Sequence, residues 1–307
     1  MPWRPKNSSL ADRADPLVAG FVSPPYTAAM GAFIRVLTLN IWNTSGPYEA
    51  RREMLRDGIA ALAPDLMAFQ EAMHTPRDQV AELLEGTGYH VLHQIDARPD
   101  SRWDQGCCVA SRWPLECVEV LPLDVTENAR SYPYAALAVR VAAPEPPGLL
   151  LFVCCKPSWE LNRERERELQ ALEIARLVRR HADPHAFPPI VAGDFDATPD
   201  SSSIRFLTGR QSLEITNVCF RDAWAEAGDG GPGYTWTDRN GHARDIIEQL
   251  FFEKRHARRI DYVFLGSFHD YPRFARIGAC RIVLDTPVGR IWPSDHYGVL
   301  AEIDVER

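Results

Sequence analysis

The sequence lacks long apolar runs and an excess of positive charge. No stretch approaches the ~20 apolar residues needed to cross a bilayer, so we predict no membrane span. Across 307 residues, 34 Lys and Arg face 42 Asp and Glu, which gives a formal net charge of −8. No global basic field therefore attracts nucleic acid. Nucleic acid stays possible as a partner, but the balance favours a small-molecule or other phosphoester substrate.

The spacing of the cysteines indicates neither disulfide bonds nor a zinc site. The seven cysteines include the neighbours Cys107–Cys108 and Cys154–Cys155, which suit neither a disulfide framework nor a spaced zinc site. We interpret them as buried thiols in a reducing compartment. Residues 1–30 contain five prolines and no apolar segment of the kind found in signal peptides. We therefore expect a cytoplasmic protein with a flexible proline-rich leader over 1–32 and one folded domain over 33–307.

Short apolar strands alternate with helical segments from Phe33 onward, which is the pattern of an α/β domain. The periodicity predicts a helix over 48–63 that ends at Pro64. The clearest helix covers 162–181, and Asn162 is its expected N-cap. Its charged run, RERERE, is interpreted as a solvated face. No internal repeat or long linker divides the chain after residue 33.

Polar side chains recur directly after these apolar strands. They are Asn40, Glu71, Asp194, Asp196, Asp261, Asp295 and His296. One such residue alone is typical of a turn or a helix cap. Several of them along one sheet edge would form a pocket of hard oxygen ligands. Such a pocket favours Mg²⁺ or Mn²⁺ over zinc, because no set of Cys and His ligands accompanies it.

The order of these motifs, LN…QE…GDF…RIDYVF…SDH, resembles the endonuclease/exonuclease/phosphatase superfamily, which has the deoxyribonuclease-I-like fold. The resemblance runs from about Phe33 to the C-terminus. It implies a four-layer α/β sandwich, in which two mixed β-sheets pack face to face with helices outside. The active site would lie at one end of the sandwich. Family members hydrolyse phosphodiester or phosphomonoester bonds in nucleic acids, inositol phosphates, sphingomyelin and related substrates.

The resemblance also implies a role for each polar residue. Glu71, helped by Asn40, matches the family's metal-binding glutamate, and Asp295 matches a second carboxylate on the metal side. A bound Mg²⁺ or Mn²⁺ polarises a phosphoryl oxygen and offsets the charge that develops on it.

Three further residues match the groups that move protons. Asp194 matches the aspartate that orients or deprotonates the attacking water. His296 matches the histidine that contacts the phosphate and assists proton transfer. Asp261 matches the acid that hydrogen-bonds this histidine and fixes its tautomer. Water, and not a side chain, is the expected nucleophile.

Two positions depart from the family pattern. Asp196 replaces the usual Asn of GDFN, and Lys156 stands where the family has a catalytic His. An ionised Asp donates no hydrogen bond and repels phosphate, and a Lys cannot exchange protons near pH 7 unless its pKa is strongly lowered. Because both changes fall in one expected pocket, we infer that Lys156 and Asp196 form a compensating pair and treat both as catalytic candidates.

Three functions remain open from the sequence. The first is a metal-dependent phosphoester hydrolase that acts on a small or non-nucleic-acid substrate. The second is a repurposed relative that catalyses a different metal-assisted reaction in specialised metabolism. The third is a catalytically inactive binding homologue.

Local features bear on the substrate and on partners. Arg130, before a strand expected at the site, is a candidate to meet an anionic group, although it can equally be a surface residue. Trp159, with Trp236 and Trp292, is a candidate for an aromatic wall, although Trp236 suits the core better. The amphipathic segment 241–259 predicts either a helical lid over the pocket or a homodimer contact.

Overall fold

Strands make up most of the framework in the computed structural model, which describes residues 33–98, 102–214, 216–251, 255–267, 269–271 and 275–305. The strands are β1 (Phe33–Asn40), β2 (Leu66–Met73), β3 (His90–His93), β4 (Gln105–Ser111), β5 (Leu115–Pro122), β6 (Ala135–Ala142), β7 (Leu149–Lys156), β8 (Ile190–Asp194), β9 (Phe220–Asp222), β10 (Trp236–Thr237), β11 (Ala257–Arg258), β12 (Asp261–Gly266), β13 (Ala275–Val283) and β14 (Gly298–Val305). The helices are α1 (Tyr48–Leu62), α2 (Gln79–Leu83), α3 (Glu164–His181), α4 (Ser202–Leu207), α5 (Ala223–Ala227) and α6 (Gly241–Phe251), with a 3₁₀ turn over Glu127–Ser131.

Two six-stranded sheets contain nearly all of these strands. The first has the order β13-β14-β1-β2-β4-β3, and the second has the order β5-β6-β7-β8-β12-β9. Each sheet is mixed, because β1 pairs with β2 and β7 pairs with β8 in parallel while the other pairings are antiparallel. A separate ribbon joins β10 to β11. The two mixed sheets confirm the predicted fold class.

The sheets pack against each other through their inner faces and against helices through their outer faces. Strand β7 illustrates why its sequence is apolar throughout: Phe152 and Cys154 enter the core between the sheets, whereas Val153 and Cys155 pack towards α3 and α4. A strand that is covered on both faces has no polar alternation. The outer face of the first sheet is covered in the same way by Leu55 and the rest of the apolar side of α1.

Helix α3 corrects two sequence predictions. The helix begins at Glu164, with Arg163 and not Asn162 at the N-cap position. The charged run is also not a simple solvated face, because Glu166 and Arg167 are buried. Arg167 donates hydrogen bonds to the carbonyl oxygens of Ser158 and Glu160. The run therefore fixes the loop that carries Trp159, which lies at the candidate site described below.

The predicted boundary between leader and domain stays a prediction, because the described residues begin at Phe33. Residues 32–307 form one compact unit. The proposed leader over 1–32 lies outside the described residues, and its flexibility stays a prediction. None of the described helices is long and apolar enough to cross a membrane.

Candidate active site

Strand pairing brings the predicted residues together at one end of the sandwich. Asp261 and Asp194 face each other across the antiparallel pair β12–β8, and Lys156 follows Cys155, which is the partner of Gly193 on β8. From the other sheet, Asn40 ends β1 opposite Gln70 of β2. The side chain of Asn40 links the two sheets, because its Nδ2 lies 3.0 Å from both a Glu71 and an Asp194 carboxylate oxygen.

Lys156 lies at the centre of this group and is only 3% exposed. Its Nζ atom is 2.5 Å from Oδ2 of Asp194, 2.5 Å from Oδ2 of Asp196 and 3.7 Å from Oε1 of Glu71. Burial opposes the charge, but these carboxylates together raise the pKa of Lys156 well above its ordinary value. Lys156 is therefore an ammonium ion and not a proton carrier at neutral pH. The structure thus brings Lys156 and Asp196 into contact, and their compensating role stays a prediction.

The two aspartates around Lys156 have opposite pKa shifts. Burial alone would raise the pKa of Asp194, but Lys156, His296 and Asn40 lower it to about 2. Burial and the charge of Asp194 raise the pKa of Asp196 to about 6, against the opposing effect of Lys156. Asp194 is thus the better stabilised anion of the two. Asp196 has a φ of +49°, and its backbone N–H donates to Oδ1 of Asp194.

His296 is held between two buried carboxylates. Its Nδ1 atom is 3.0 Å from Oδ2 of Asp261, and its Nε2 atom is 3.8 Å from Oδ2 of Asp194. Burial would lower the pKa of His296, but Asp261, Asp194 and Asp295 raise it well above the ordinary value. A charged imidazole donates from both nitrogens and cannot ligate a metal. Ligand atoms of Asp194, Asp261 and His296 lie within 4.8 Å of one another, so this trio could hold a metal ion if His296 were neutral.

Glu71 and Asp295 form the part of the site best suited to a cation. Asp295 is buried, receives a hydrogen bond from the Ser294 hydroxyl at 3.2 Å, and forms no ion pair within the described part of the chain. Burial raises its pKa to about 6, and the charge of Glu71 adds to this shift. A bound divalent cation would relieve this repulsion. The hard oxygen donors of Glu71, Asp295 and Asn40 therefore fit Mg²⁺ or Mn²⁺.

A cleft of about 470 Å³ lies at this end of the sandwich. Glu71, Lys156, Asp196, Asp295 and His296 line it, whereas Asn40, Asp194 and Asp261 do not. Arg258 also lines the cleft, and its Nη2 donates to the Asp196 carbonyl at 2.7 Å. The apolar side chains of the lining are Trp42, Trp159, Leu161, Trp236, Ile246, Leu250 and Phe251. The cleft can therefore hold an anionic group and an apolar group of one ligand side by side.

The tryptophans and Arg130 occupy different places. Trp159 lines the cleft and is 38% exposed. Trp236 is buried and also lines the cleft, with its ring centroid 6.3 Å from that of His296. Trp292 packs against Tyr297 at 5.5 Å and does not line the cleft. Arg130 is exposed and lines a neighbouring pocket.

Several residues at the site were not singled out from the sequence. Tyr132 separates the cleft from the neighbouring pocket, because its side chain lines both. It lies only two positions after Arg130 and shortly before β6, so its closeness to a candidate residue was an available signal. Asn240 donates to the carbonyls of Ser294 and Asp295 at 2.8 and 3.1 Å. Asn240 lies more than fifty residues before these two positions in the sequence, so no local pattern connects it with them.

The sequence matches the profile of the Endonuclease/Exonuclease/phosphatase family over residues 37–296. The chain belongs to this family. Membership supports a phosphoester hydrolase in general, and its members generally use divalent metals. No curated protein matches the sequence.

Solved structures agree with the family at the level of the fold. Truncated TDP2 of Caenorhabditis elegans is 13% identical, with a TM-score of 0.66 over 89% of this chain and 98% of that one. D. rerio TDP2 complexed with a single-strand DNA product is 16% identical, with a TM-score of 0.66 over 89% and 100%. The human Nocturnin catalytic domain with bound sulfate is 18% identical, with a TM-score of 0.62 over 89% and 97%. At these identities the likeness shows the fold alone.

Proposed function

We propose that this protein hydrolyses a phosphoester bond by attack of water, with Mg²⁺ or Mn²⁺ as cofactor. The observation that carries the proposal is the buried Asp194 carboxylate, which has Lys156 at 2.5 Å on one side and His296 Nε2 at 3.8 Å on the other. A negative group flanked by two cations is suited to align water against an electron-poor phosphorus.

Asp194 acts mainly by orientation. With a pKa of about 2, it remains ionised at neutral pH and accepts a hydrogen bond from the attacking water. Such a weak base aligns the water without fully removing its proton in the ground state. Lys156 stabilises the ionised form of Asp194 and so keeps this carboxylate a hydrogen-bond acceptor.

His296 supplies the proton on the other side of the reaction. Its raised pKa keeps it charged, so its Nε2–H can donate to a phosphoryl oxygen or to the leaving oxygen. Asp261 holds Nδ1 and stabilises the imidazolium. Glu71, Asn40 and Asp295 would hold the metal, which supplies Lewis-acid stabilisation of the phosphoryl oxygens.

A small or non-nucleic-acid phosphoester is the substrate class that we favour. The apolar side chains that line the cleft suit an organic group attached to the phosphate. Ile246, Leu250 and Phe251 of α6 line the cleft, which supports the hypothesis that 241–259 is a lid. The homodimer through this segment stays a prediction. Because a TDP2 relative carries a DNA product in its structure, nucleic acid is the alternative. The free cysteines support a cytoplasmic location.

A repurposed enzyme is the second candidate, and one observation favours it. Lys156 is a fixed ammonium at the position where the family has a titratable His. Turnover of phosphoesters by the wild-type protein would decide between the two candidates.

The test is hydrolysis of bis(p-nitrophenyl) phosphate and a panel of phosphomonoesters and phosphodiesters with Mg²⁺ or Mn²⁺. Asp194→Asn and His296→Gln should each lower kcat at least a hundredfold, which is typical for removal of a positioned acid or base. His181→Gln is the matched control, because His181 pairs with Glu119 on the surface of α3. Metal binding without turnover of any ester would overturn the hydrolase in favour of the repurposed enzyme.

A further inference from the structure

A second pocket adjoins the cleft on the far side of Tyr132. Its volume is about 390 Å³. Arg98, Arg102 and Arg130 line it, and none of these side chains lines the catalytic cleft. Three guanidinium groups around one cavity are notable in a chain with a net charge of −8.

These arginines have no carboxylate partner among the residues that the structure describes. Neither Arg98, Arg102 nor Arg130 forms an ion pair with a carboxylate in the described residues, whereas other arginines do so, as Arg180 does with Glu119 at 2.9 Å. One carboxylate, that of Asp124, lines the same pocket. The pocket therefore retains an excess of positive charge and of unused N–H donors, which together suit an anion.

The pocket has fixed walls. The guanidinium of Arg102 stacks over the Trp103 ring at 4.7 Å and donates to the Arg130 carbonyl at 2.5 Å. These contacts join the loop before β4 to the 3₁₀ turn before β6 and bring the two arginines to one cavity. Stacked guanidinium groups present their planar N–H edges for bidentate contact with phosphate oxygens.

Tyr132 places this pocket directly beside the reaction centre. Its side chain lines both cavities, its hydroxyl accepts a hydrogen bond from Gln105 Nε2 at 3.2 Å, and its ring packs against Tyr134 at 4.9 Å. One fixed aromatic side chain thus separates Glu71 and Lys156 from the arginines. A ligand of modest length can reach both sides.

We propose that the arginine pocket binds a second phosphate group of the substrate whose first phosphate is hydrolysed in the cleft. The inference rests on the proposed function and narrows its substrate class to molecules with at least two phosphates. The second phosphate can belong to a small bisphosphorylated metabolite or to the backbone of a nucleic acid, since the chemistry at the pocket is the same.

The first experiment measures binding without hydrolysis. Inorganic pyrophosphate is titrated calorimetrically into the metal-free full-length protein and into the triple variant Arg98→Gln/Arg102→Gln/Arg130→Gln. The variant should bind at least tenfold more weakly. The control variant Arg56→Gln/Arg140→Gln/Arg281→Gln changes the net charge by the same amount away from this pocket and should bind as the wild type does. Equal affinities in all three proteins, or no binding to the wild type, would overturn the inference.

The second experiment measures turnover of two matched esters, thymidine 5′-(p-nitrophenyl phosphate) and the same ester with an added 3′-phosphate. The arginine variant should raise KM about tenfold for the bisphosphate only, with kcat unchanged, and melting temperatures should confirm that the variant is folded. An equal rise for both esters would overturn the inference. Pyrophosphate binding that depends on the arginines without any turnover would instead overturn the proposed function and leave the pocket as a phosphate site.

A third comparison separates the two sources of phosphate. A short single-stranded oligothymidylate that displaces pyrophosphate at concentrations well below those of thymidine 3′,5′-bisphosphate supports a nucleic-acid backbone. The reverse order supports a small metabolite.

Discussion

Two groups of carboxylates share one cleft but differ in how their charge is balanced. The Lys156 cluster, defined as Lys156, Asp194 and Asp196, contains its own cation with two contacts of 2.5 Å. The Glu71–Asp295 pair has a looser balance, because Lys156 Nζ is 3.7 Å from Glu71 and Asp295 forms no ion pair in the described residues. The pKa of Asp194, about 2, shows the effect of the close cation, whereas burial is the largest cause that raises the pKa values of Asp196 and Asp295 to about 6. The Lys156 cluster thus contains its own cation, and a bound cation would stabilise the Glu71–Asp295 pair.

Removal of the internal cation should have the largest effect. Lys156→Met removes the closest counter-charge of the buried Asp194 and Asp196, so the free energy of unfolding should fall by about 3–5 kcal/mol. Denaturant titration measures the loss. Arg180→Met, which breaks the exposed pair with Glu119, is the control and should cost about 1 kcal/mol or less. A comparable loss in both variants would contradict the role of Lys156 as the internal cation.

Loss of a carboxylate from the Glu71–Asp295 pair should act on the metal and hardly on the fold. Glu71→Gln should weaken Mg²⁺ or Mn²⁺ binding at least tenfold, on the order of 1.4 kcal/mol, while the metal-free protein keeps or gains stability because a repulsion is removed. Calorimetry with each metal checks the affinity. Glu160→Gln is the control, since Glu160 lines the same cleft but pairs with Tyr134 at 2.8 Å. Unchanged affinity in Glu71→Gln would remove Glu71 from the metal site.

The pH dependence should also separate the two groups. In the folded metal-free protein, Asp295 is protonated below its pKa of about 6. In the unfolded chain, it is protonated only below the ordinary pKa of 3.8. Its contribution to stability is therefore present below pH 3.8 and lost as the pH rises through 6. Protons compete with the cation, so metal affinity should fall up to about tenfold per unit below pH 6.

Asp295→Asn provides the reference for this titration. The free energy of unfolding of this variant, relative to wild type, should rise as the pH increases from 4 to 7 without metal. A constant difference across this range would contradict the raised pKa of Asp295.

The smallest effect is expected for Asp196→Asn. Lys156 keeps its contact with Asp194, so no buried ammonium is left unpaired, and an Asn accommodates the φ of +49° at this position. Stability should change by about 1 kcal/mol or less. A double-mutant cycle with Lys156→His measures the coupling of the two positions. A coupling energy near zero would mean that the contact between Lys156 and Asp196 has no energetic weight.

Much of the fold was predictable because its signals are local. The apolar sequences of strand β7 and of one side of α1 indicate directly that these surfaces are buried. The order of the motifs indicated the family. Helix α3 shows the limit: Arg167 is buried and hydrogen-bonds carbonyls of the loop directly before the helix, and a charged run alone does not reveal this. Tertiary partners, and not helical periodicity, decide which charges of such a run face water.

The candidate site was predictable in its members but not in its charge states. The strand-end positions of Asp194 and Asp261 indicated a shared edge, and the Lys156–Asp196 contact followed from two departures that fall together. The pKa of Asp194 is lowered by Lys156, His296 and Asn40, whereas burial and the charge of Asp194 raise the pKa of Asp196. These effects depend on distances that result from the packing of the two sheets, and the sequence alone does not reveal such distances.

The backbone conformation at Glu71 bears on whether this residue has a function. Glu71 has a φ of +55° at the bulge where the register of β2 and β4 shifts between Phe69 and Ala72. A side chain in this left-handed conformation costs about 1–2 kcal/mol, which glycine would avoid. Ala63 and Leu284, which do not line the cleft, also have a positive φ, so the conformation alone does not mark a functional residue. At Glu71 the strain is a cost to the fold, and the proposed role of its carboxylate as a metal ligand would give a reason for that cost.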